Sequence, residues 1–126
     1  PVPRSVIEGI ARHQRQLQLA DYARRYPSCE TWLAQEAEGP VARVVLDRSN
    51  DVLRVVDLSV AASARRKGVA RAVLLSLQEE AGTIALRVRA DNVAARRLYA
   101  GLGFVPVHDD GTTLELEWSR APVHPK

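Results

Sequence analysis

Residues 57–73 read DLSVAASARRKGVARAV, and the pattern in this stretch decides the fold. Its first residues end a run of alternating polar and apolar residues over 52–60, which is typical of a β-strand. A polar loop carrying the basic residues 65–67 follows, and at Gly68 a strongly apolar run begins. Because apolar residues fall on nearly every side of a helix over 68–80, the pattern predicts a strand, a basic loop and then a buried helix.

The rest of the chain continues this alternation of strands and helices. A capping-box pattern of Ser5 with Glu8 indicates a first helix, and alternation of period two indicates the strands. The predicted elements are a helix over 5–26, strands over 31–37, 41–48 and 52–60, a helix over 68–80, a strand over 83–90, a helix over 92–101, and strands over 104–108 and 112–118. We expect an antiparallel meander of three strands, then a strand–helix–strand crossover that makes a parallel pair.

These elements predict one α/β (α+β) domain over residues 1–118, with a mixed central sheet of about six strands flanked by three helices. Residues 119–126 contain two prolines and are interpreted as a loose C-terminal tail. Within the strand over 52–60, strict alternation predicts that Asp57 lies on the face opposite Val56 and Leu58.

Composition limits the class of protein. The chain has 126 residues, of which 46% are hydrophobic and 26% charged, the size and make-up of one globular domain. The sequence has neither an apolar run of roughly 18 residues nor a signal-peptide pattern, so we expect a cytoplasmic protein that does not associate with membranes. Its one cysteine, Cys29, forms no internal disulfide and has no neighbouring ligands, so we expect no metal.

The chain has 18 basic and 15 acidic residues, which gives a net charge of +3, and nearly all of the basic residues are arginine. Arginine suits phosphate recognition, although an arginine-rich composition is also what a genome-wide codon bias produces. The basic residues form no stripe with interleaved aromatic residues, so we expect no nucleic-acid partner. The acidic run at 108–110, His-Asp-Asp before a glycine, favours a hairpin turn over a metal site.

The loop before Gly68 has the features of an anion site. The first amides of a helix have no partner within the helix, and its dipole favours negative charge there. Arg65, Arg66 and Lys67 beside these amides would suit a diphosphate. A solvated basic turn, with a glycine used for close packing, explains the same residues equally well.

Two motifs together resemble the GNAT superfamily of N-acetyltransferases. Residues 65–70, RRKGVA, match the (Gln/Arg)-x-x-Gly-x-(Gly/Ala) signature that binds the pyrophosphate of acetyl-coenzyme A in that family. Residues 92–99, NVAARRLY, and 101–104, GLGF, resemble the family's second signature, in the expected order. The resemblance covers about residues 53–107 and implies an acetyl-CoA-dependent N-acetyltransferase that transfers the acetyl group directly to a primary amine in a ternary complex.

The resemblance also implies roles for individual residues. In this family the strand before the signature parts from its parallel neighbour at a bulge, and its free backbone groups bind the pantetheine arm. The cofactor-binding residues implied are Leu58, Ser59 and Val60 for the pantetheine, Arg65, Arg66, Lys67, Gly68, Val69, Ala70 and Arg71 for the pyrophosphate, and Asn92 for the pantetheine. An ordinary helix N-cap also explains Asn92, and one side chain can serve both roles.

The catalytic residues implied are Tyr99 and, less directly, Asp57. Tyr99 corresponds to the tyrosine that protonates the departing thiolate, and a phenol of pKa about 10 can protonate a thiolate whose acid has a pKa of about 8.5. Core packing on the helix also explains Tyr99. Many family members place a glutamate base on the third strand, where this chain has Arg54; Asp57 is the nearest carboxylate, and a structural ion pair explains it too. Water held by a carboxylate or a backbone carbonyl is a further candidate.

The family's usual N-terminal strand and helix, which shape the acceptor pocket, have no match before the predicted first helix. We therefore expect them to be missing: either the chain is truncated, or the sheet lacks its first strand, or a second copy in a homodimer covers the gap. The acceptor is expected to be an amine on a small molecule or a peptide. The alternative function is a non-catalytic acyl-CoA-binding or regulatory module of the same fold.

Overall fold

The computed structural model describes residues 18–21, 29–36, 39–48, 51–65 and 68–120. The elements in these ranges are the strands β1 (Gln18–Asp21), β2 (Cys29–Glu36), β3 (Gly39–Asp47), β4 (Leu53–Val60), β5 (Thr83–Arg89), β6 (Val105–Asp109) and β7 (Thr113–Ser119), and the helices α1 (Val69–Glu80) and α2 (Val93–Gly101). A short 3₁₀ turn, Ala62–Ala64, joins β4 to the loop before α1. Neither described helix is long and apolar enough to cross a membrane.

The described strands form one mixed sheet in the order β1-β2-β3-β4-β5-β7-β6. The meander β2-β3-β4 is antiparallel, and the crossover through α1 makes β4 and β5 parallel. Strand β7 then lies between β5 and β6 and pairs antiparallel with both. The α/β class and the mixed sheet predicted from the sequence are confirmed.

The predicted first helix is wrong over residues 18–21. Residues 18–21 form β1, which pairs antiparallel with β2 from Gln18↔Gln35 to Asp21↔Trp32. The sequence there, QLQLAD over 16–21, alternates polar and apolar residues, so period two outweighs the helical spacing once a strand edge is available. The described sheet therefore has seven strands, and the rest of the predicted helix, 5–17 and 22–26, lies outside the described residues.

One face of the sheet carries the core, and we call it the core face. Directly opposed residues of neighbouring strands, such as Trp32↔Val44 and Leu86↔Leu116, point to the same side and are buried. The buried residues of α1 belong to the same cluster, and α2 packs against it through Ala95, Leu98 and Tyr99. Both described helices therefore lie on the core face, and the other side of the sheet is called the opposite face.

The two helices are fixed at their ends by the predicted motifs. Gly103, in the GF motif, has a φ of +95°, which favours glycine, and a Cβ there would lie a close 3.1 Å from Cδ1 of Trp118. Gln78 of α1 donates a hydrogen bond to the carbonyl of Leu102 at the end of α2. This hydrogen bond joins α1 to the end of α2.

Strand β7 extends past the predicted domain end at Trp118. Ser119 is its last residue, and the Arg120 guanidinium donates to the carbonyls of Gln78, Glu79 and Ala81 at the C-terminal end of α1. A cation at this end of a helix also complements its dipole. Residues 119 and 120 belong to the fold, and the remainder of the predicted tail lies outside the described residues.

Candidate active site

Strands β4 and β5 part in the middle of the sheet. Their parallel pairing ends after three residue pairs, Leu53↔Ile84, Arg54↔Ala85 and Val55↔Leu86. Beyond Val55 and Leu86, each strand keeps its other neighbour but no longer pairs with the other. The splay that the resemblance implied is present, and it leaves backbone N–H and C=O groups on the edge of β4 without a strand partner.

A bulge in β4 coincides with this splay. Val45 opposes Asp57 and Leu46 opposes Val55, so Val56 has no partner in β3. A bulge inserts one residue and reverses the alternation beyond it. The predicted faces are therefore corrected: Val56 is 53% exposed, whereas Val55 is buried and Leu58 packs against the core. Asp57 and Leu58 lie on different faces of the sheet, as predicted. Strict alternation would place Val55 on the same face as Asp57, but Val55 belongs to the core face.

The residues of the first signature begin α1 as predicted. Gly68 is the N-cap residue, with the left-handed φ of +81°, and makes no side-chain cap. The first hydrogen bond of the helix joins the amide of Ala72 to the carbonyl of Gly68. The amides of residues 69–71 therefore have no partner within the helix, which is the arrangement that binds an anion. Val69 is buried and Arg71 is exposed.

The basic residues of the loop are only partly described. Arg65 is exposed, and its Nε donates to the carbonyl of Val60 at 3.1 Å. This bond ties the guanidinium to the last residue of β4, between the splay and the N-terminus of α1. Arg66 and Lys67 lie outside the described residues.

Asn92 caps α2. Its Oδ1 accepts a hydrogen bond from the amide of Ala95 at 3.1 Å, so the N-cap interpretation is confirmed. A cap uses only the side-chain oxygen. The Nδ2 group donates no hydrogen bond within the described part of the chain, and it is available to a ligand.

Tyr99 is the residue of α2 on which Asp57 acts electrostatically. Tyr99 is half-buried on α2, its ring centroid 5.7 Å from that of Phe104, so core packing describes part of its role. Burial raises the pKa of the Tyr99 hydroxyl, and the Asp57 carboxylate raises this pKa further. The hydroxyl therefore keeps its proton throughout the neutral range.

Asp57 is held by two neighbours on the opposite face. Its Oδ2 accepts from Arg43 through Nη2 at 3.0 Å and Nε at 3.3 Å, and from the Ser59 hydroxyl at 2.9 Å. The structural ion pair considered from the sequence is thus present. All of these bonds reach Oδ2; within the described ranges, Oδ1 accepts none.

A second charged group at the splay was not found from the sequence. Glu115 of β7 accepts from Arg54 Nη2 through Oε2 at 2.6 Å and from Arg87 Nε through Oε1 at 3.1 Å. Burial by itself raises the pKa of Glu115, but the two arginines outweigh it and hold that pKa below its usual range. In the sequence, Arg54 is 61 positions and Arg87 is 28 positions from Glu115, and only the register of three strands brings them together.

Two further features lie apart from this site. The 108–110 motif forms the hairpin turn predicted for it, because Asp109 accepts from the amide of Gly111 and Asp110 from those of Thr112 and Thr113. A groove of about 380 Å³ lies between α2 and the β6–β7 hairpin, and neither Tyr99 nor Asp57 lines it. In the described part of the chain, no three His, Cys, Asp or Glu side chains are grouped as metal ligands.

Comparisons with known proteins identify the class to which this fold and site belong. The acetyltransferase (GNAT) family model matches residues 5–104, most of the chain. No curated protein sequence matches the chain. The chain belongs to the GNAT acetyltransferase family, as the two motifs indicated.

Solved structures of acetyltransferases share the fold. Nourseothricin acetyltransferase is 27% identical, with a TM-score of 0.61, over 74% of this chain and 66% of that one. The ribosomal-protein-S18-alanine N-acetyltransferase of Escherichia coli is 23% identical, with a TM-score of 0.66, over 81% of this chain and 77% of that one. The PaiA N-acetyltransferase of Thermoplasma acidophilum, solved with coenzyme A, is 15% identical, with a TM-score of 0.65, over 74% of this chain and 62% of that one. The match spans less than two thirds of the first and third of these chains.

Proposed function

We propose that the protein is an N-acetyltransferase that moves an acetyl group from acetyl-CoA to a primary amine by direct transfer in a ternary complex. The observation that carries this proposal is the parting of β4 and β5, which leaves an unpaired edge of β4 leading to the uncapped N-terminus of α1. A proton donor on the core face and a carboxylate on the opposite face flank the place where the strands part. Membership of the GNAT family supports the same reaction.

The proposed cofactor site runs from the splay to the start of α1. The unpaired edge of β4 at Leu58, Ser59 and Val60 would bind the pantetheine arm, and the Asn92 amide would join it from α2. The uncapped amides of residues 69 and 70 would bind the pyrophosphate, with positive charge from Arg65, Arg66, Lys67 and Arg71. The glycine at 68 supports this assignment because its left-handed backbone brings the chain into α1 without a side chain at the N-cap.

The reaction requires two proton transfers, and the site offers a group for each. A primary amine is largely protonated near neutral pH and first loses one proton to solvent. The neutral amine nitrogen then forms a bond to the thioester carbonyl carbon, and the carbon–sulfur bond breaks. The Tyr99 hydroxyl gives its proton to the departing sulfur, while the Oδ1 atom of Asp57 takes a proton from the amine, directly or through one water. Proton transfer from Asp57 to the tyrosinate then restores both groups. Free backbone amides of the β4 edge would polarise the carbonyl oxygen.

Acetyl-CoA binding and turnover can be measured separately. At a hundredfold excess over Kd, acetyl-CoA should stabilise the protein by about 2.7 kcal/mol in thermal unfolding, and free CoA should also stabilise it. Thiol release against a panel of primary amines then reports transfer. Binding without turnover of any amine would favour a non-catalytic acyl-CoA-binding module, an alternative that the engagement of Asp57 by Arg43 and Ser59 also supports. No stabilisation by any CoA would exclude both functions.

Asn92→Asp separates the cap from the proposed pantetheine contact. Aspartate keeps the oxygen that accepts from Ala95 and suits a helix N-terminus, so the free energy of unfolding of the ligand-free protein should not fall. It removes the Nδ2 donor, so the Kd for acetyl-CoA should rise by about tenfold, the effect of one lost hydrogen bond. Thermal unfolding and calorimetric titration provide the two numbers. An unchanged Kd would leave Asn92 as a cap alone.

A further inference from the structure

The opening of the splay on the opposite face is bordered by a cluster of one glutamate and two arginines. We call Arg54, Arg87 and Glu115 the arginine–glutamate cluster. Each carboxylate oxygen of Glu115 accepts a hydrogen bond from a different arginine, so two guanidinium groups hold this carboxylate in place. Because Glu115 stays ionised, two guanidinium charges face one carboxylate charge, and the cluster carries a net charge of +1.

Two other described arginines on the opposite face each pair with a carboxylate of their own. Arg43 pairs with Asp57, and Arg89 pairs with Asp91 at 3.2 Å. In the arginine–glutamate cluster, by contrast, two guanidinium groups share one carboxylate. Within it, Arg87 is the more accessible, with 73% of its side chain exposed against 39% for Arg54.

The Arg87 guanidinium is held in place through one nitrogen and has further N–H groups that can bind a ligand. It donates to Glu115 through Nε, and its two terminal nitrogens make no hydrogen bond to any described residue. A guanidinium fixed at Nε presents its terminal N–H groups as a planar fork, which matches the two oxygens of a carboxylate.

The sheet register places Arg87 beside the proposed reaction centre. Arg87 directly follows Leu86, the last residue of β5 that pairs with β4. Across the opening, Asp57 lies two residues beyond Val55, the matching last residue of β4. Both side chains lie on the opposite face, away from α1 and α2, so an amine that enters from this side lies between a carboxylate and an unsaturated guanidinium.

We propose that the acceptor is a primary amine that also carries a carboxylate, and that Arg87, supported by Arg54 and Glu115, binds this carboxylate. The inference rests on the proposed function, since it names the substrate class of the same site. The amine of the acceptor lies on the Asp57 side of the opening, and the carboxylate of the acceptor lies on the Arg87 side. A diamine is disfavoured, because it lacks the carboxylate that Arg87 would bind and its second cation would face the Arg87 guanidinium instead.

Three acceptors of equal length test this assignment. In the presence of acetyl-CoA, 4-aminobutanoate, its neutral amide and 1,4-diaminobutane differ only at the end that Arg87 would contact, and shorter and longer homologues cover the span. We expect kcat/KM to be highest for the carboxylate. Arg87→Gln should lower kcat/KM for the carboxylate by about 10- to 100-fold and leave that for the amide within about twofold, as expected for one lost charge-assisted contact.

Two further variants, Arg87→Glu and Arg97→Gln, test whether the preference among acceptors depends on the charge of residue 87. The charge reversal should move the preference toward the diamine, which a merely structural role of Arg87 would not produce. Arg97, an exposed residue of α2 on the core side, serves as the matched control, and its replacement by Gln should leave the ranking of acceptors unchanged.

The outcomes separate the two proposals. Turnover with equal kcat/KM for carboxylate, amide and diamine, or a carboxylate preference that Arg87→Gln does not reduce, would overturn the inference and leave the transferase function standing. If no amine is turned over, binding of the N-acetylated 4-aminobutanoate to the CoA-loaded protein provides a second readout by calorimetry. Binding that Arg87→Gln abolishes would support the carboxylate site while refuting transfer; absence of both binding and turnover would overturn both.

Discussion

Gly68→Asp should remove most of the thermal stabilisation that acetyl-CoA confers, whereas the isosteric Gly68→Asn should retain a larger part. Residue 68 has a φ of +81° and precedes the amides that are free at the start of α1. Both substitutions carry the same modest cost in this backbone region, because Asp and Asn adopt it more readily than other residues. They differ by one negative charge beside the proposed pyrophosphate, and two like charges about 4 Å apart repel by about 1 to 4 kcal/mol in this setting. That cost is comparable to the whole of the expected stabilisation, about 2.7 kcal/mol at a hundredfold excess of ligand.

The ligand-free proteins supply the control for this pair. Negative charge at a helix N-terminus is favourable by about 0.3 to 1 kcal/mol, so without ligand Gly68→Asp should be at least as stable as Gly68→Asn. The order of the two variants should therefore reverse when acetyl-CoA is added, as thermal unfolding with and without ligand will show. Equal stabilisation of both variants by acetyl-CoA would place the pyrophosphate elsewhere and leave the loop as a solvated basic turn.

The parts of the site that come from contiguous residues could be predicted from the sequence. The N-terminus of α1, the cap at Asn92 and the turn at 108–110 each depend on local spacing and on one side chain or glycine. The parallel β4–β5 pair follows from its helical crossover, since such a connection imposes the strand direction. Local pattern and chain connectivity were sufficient for these elements.

The parts that depend on register could not be predicted. A single inserted residue, Val56, reversed which side chains of β4 point to each face beyond it, and no residue type in the sequence indicates a bulge of this kind. The arginine–glutamate cluster joins residues of three strands whose proximity follows only from the full strand order. Strand β1 illustrates a competition: four residues within a predicted helix form a strand because the edge of β2 provides hydrogen-bond partners that an isolated segment lacks.

Tyr99→Phe should leave acetyl-CoA binding intact and lower kcat by about 100-fold, the usual contribution of one general acid. The hydroxyl makes no hydrogen bond within the described ranges, and the ring keeps its contact with Phe104, so the substitution removes the proton donor with little change in packing. Stopped-flow or steady-state thiol release gives kcat, and calorimetric titration gives the Kd for acetyl-CoA, expected to stay within about twofold.

The pH dependence distinguishes an acid from a packing residue at position 99. Burial and the Asp57 carboxylate raise the pKa of Tyr99, and an acid acts only while protonated, so an alkaline loss of kcat caused by Tyr99 must lie above the ordinary pKa of about 10. Asp57→Asn removes one of the two causes and should shift that alkaline limb to lower pH, even as it lowers kcat through loss of the proposed base. Tyr99→Phe should abolish the limb altogether. If Tyr99→Phe leaves kcat unchanged, Tyr99 is not the acid, and the proton for the departing sulfur comes from solvent. If the limb keeps its position in Asp57→Asn, the two groups are not coupled in the reaction.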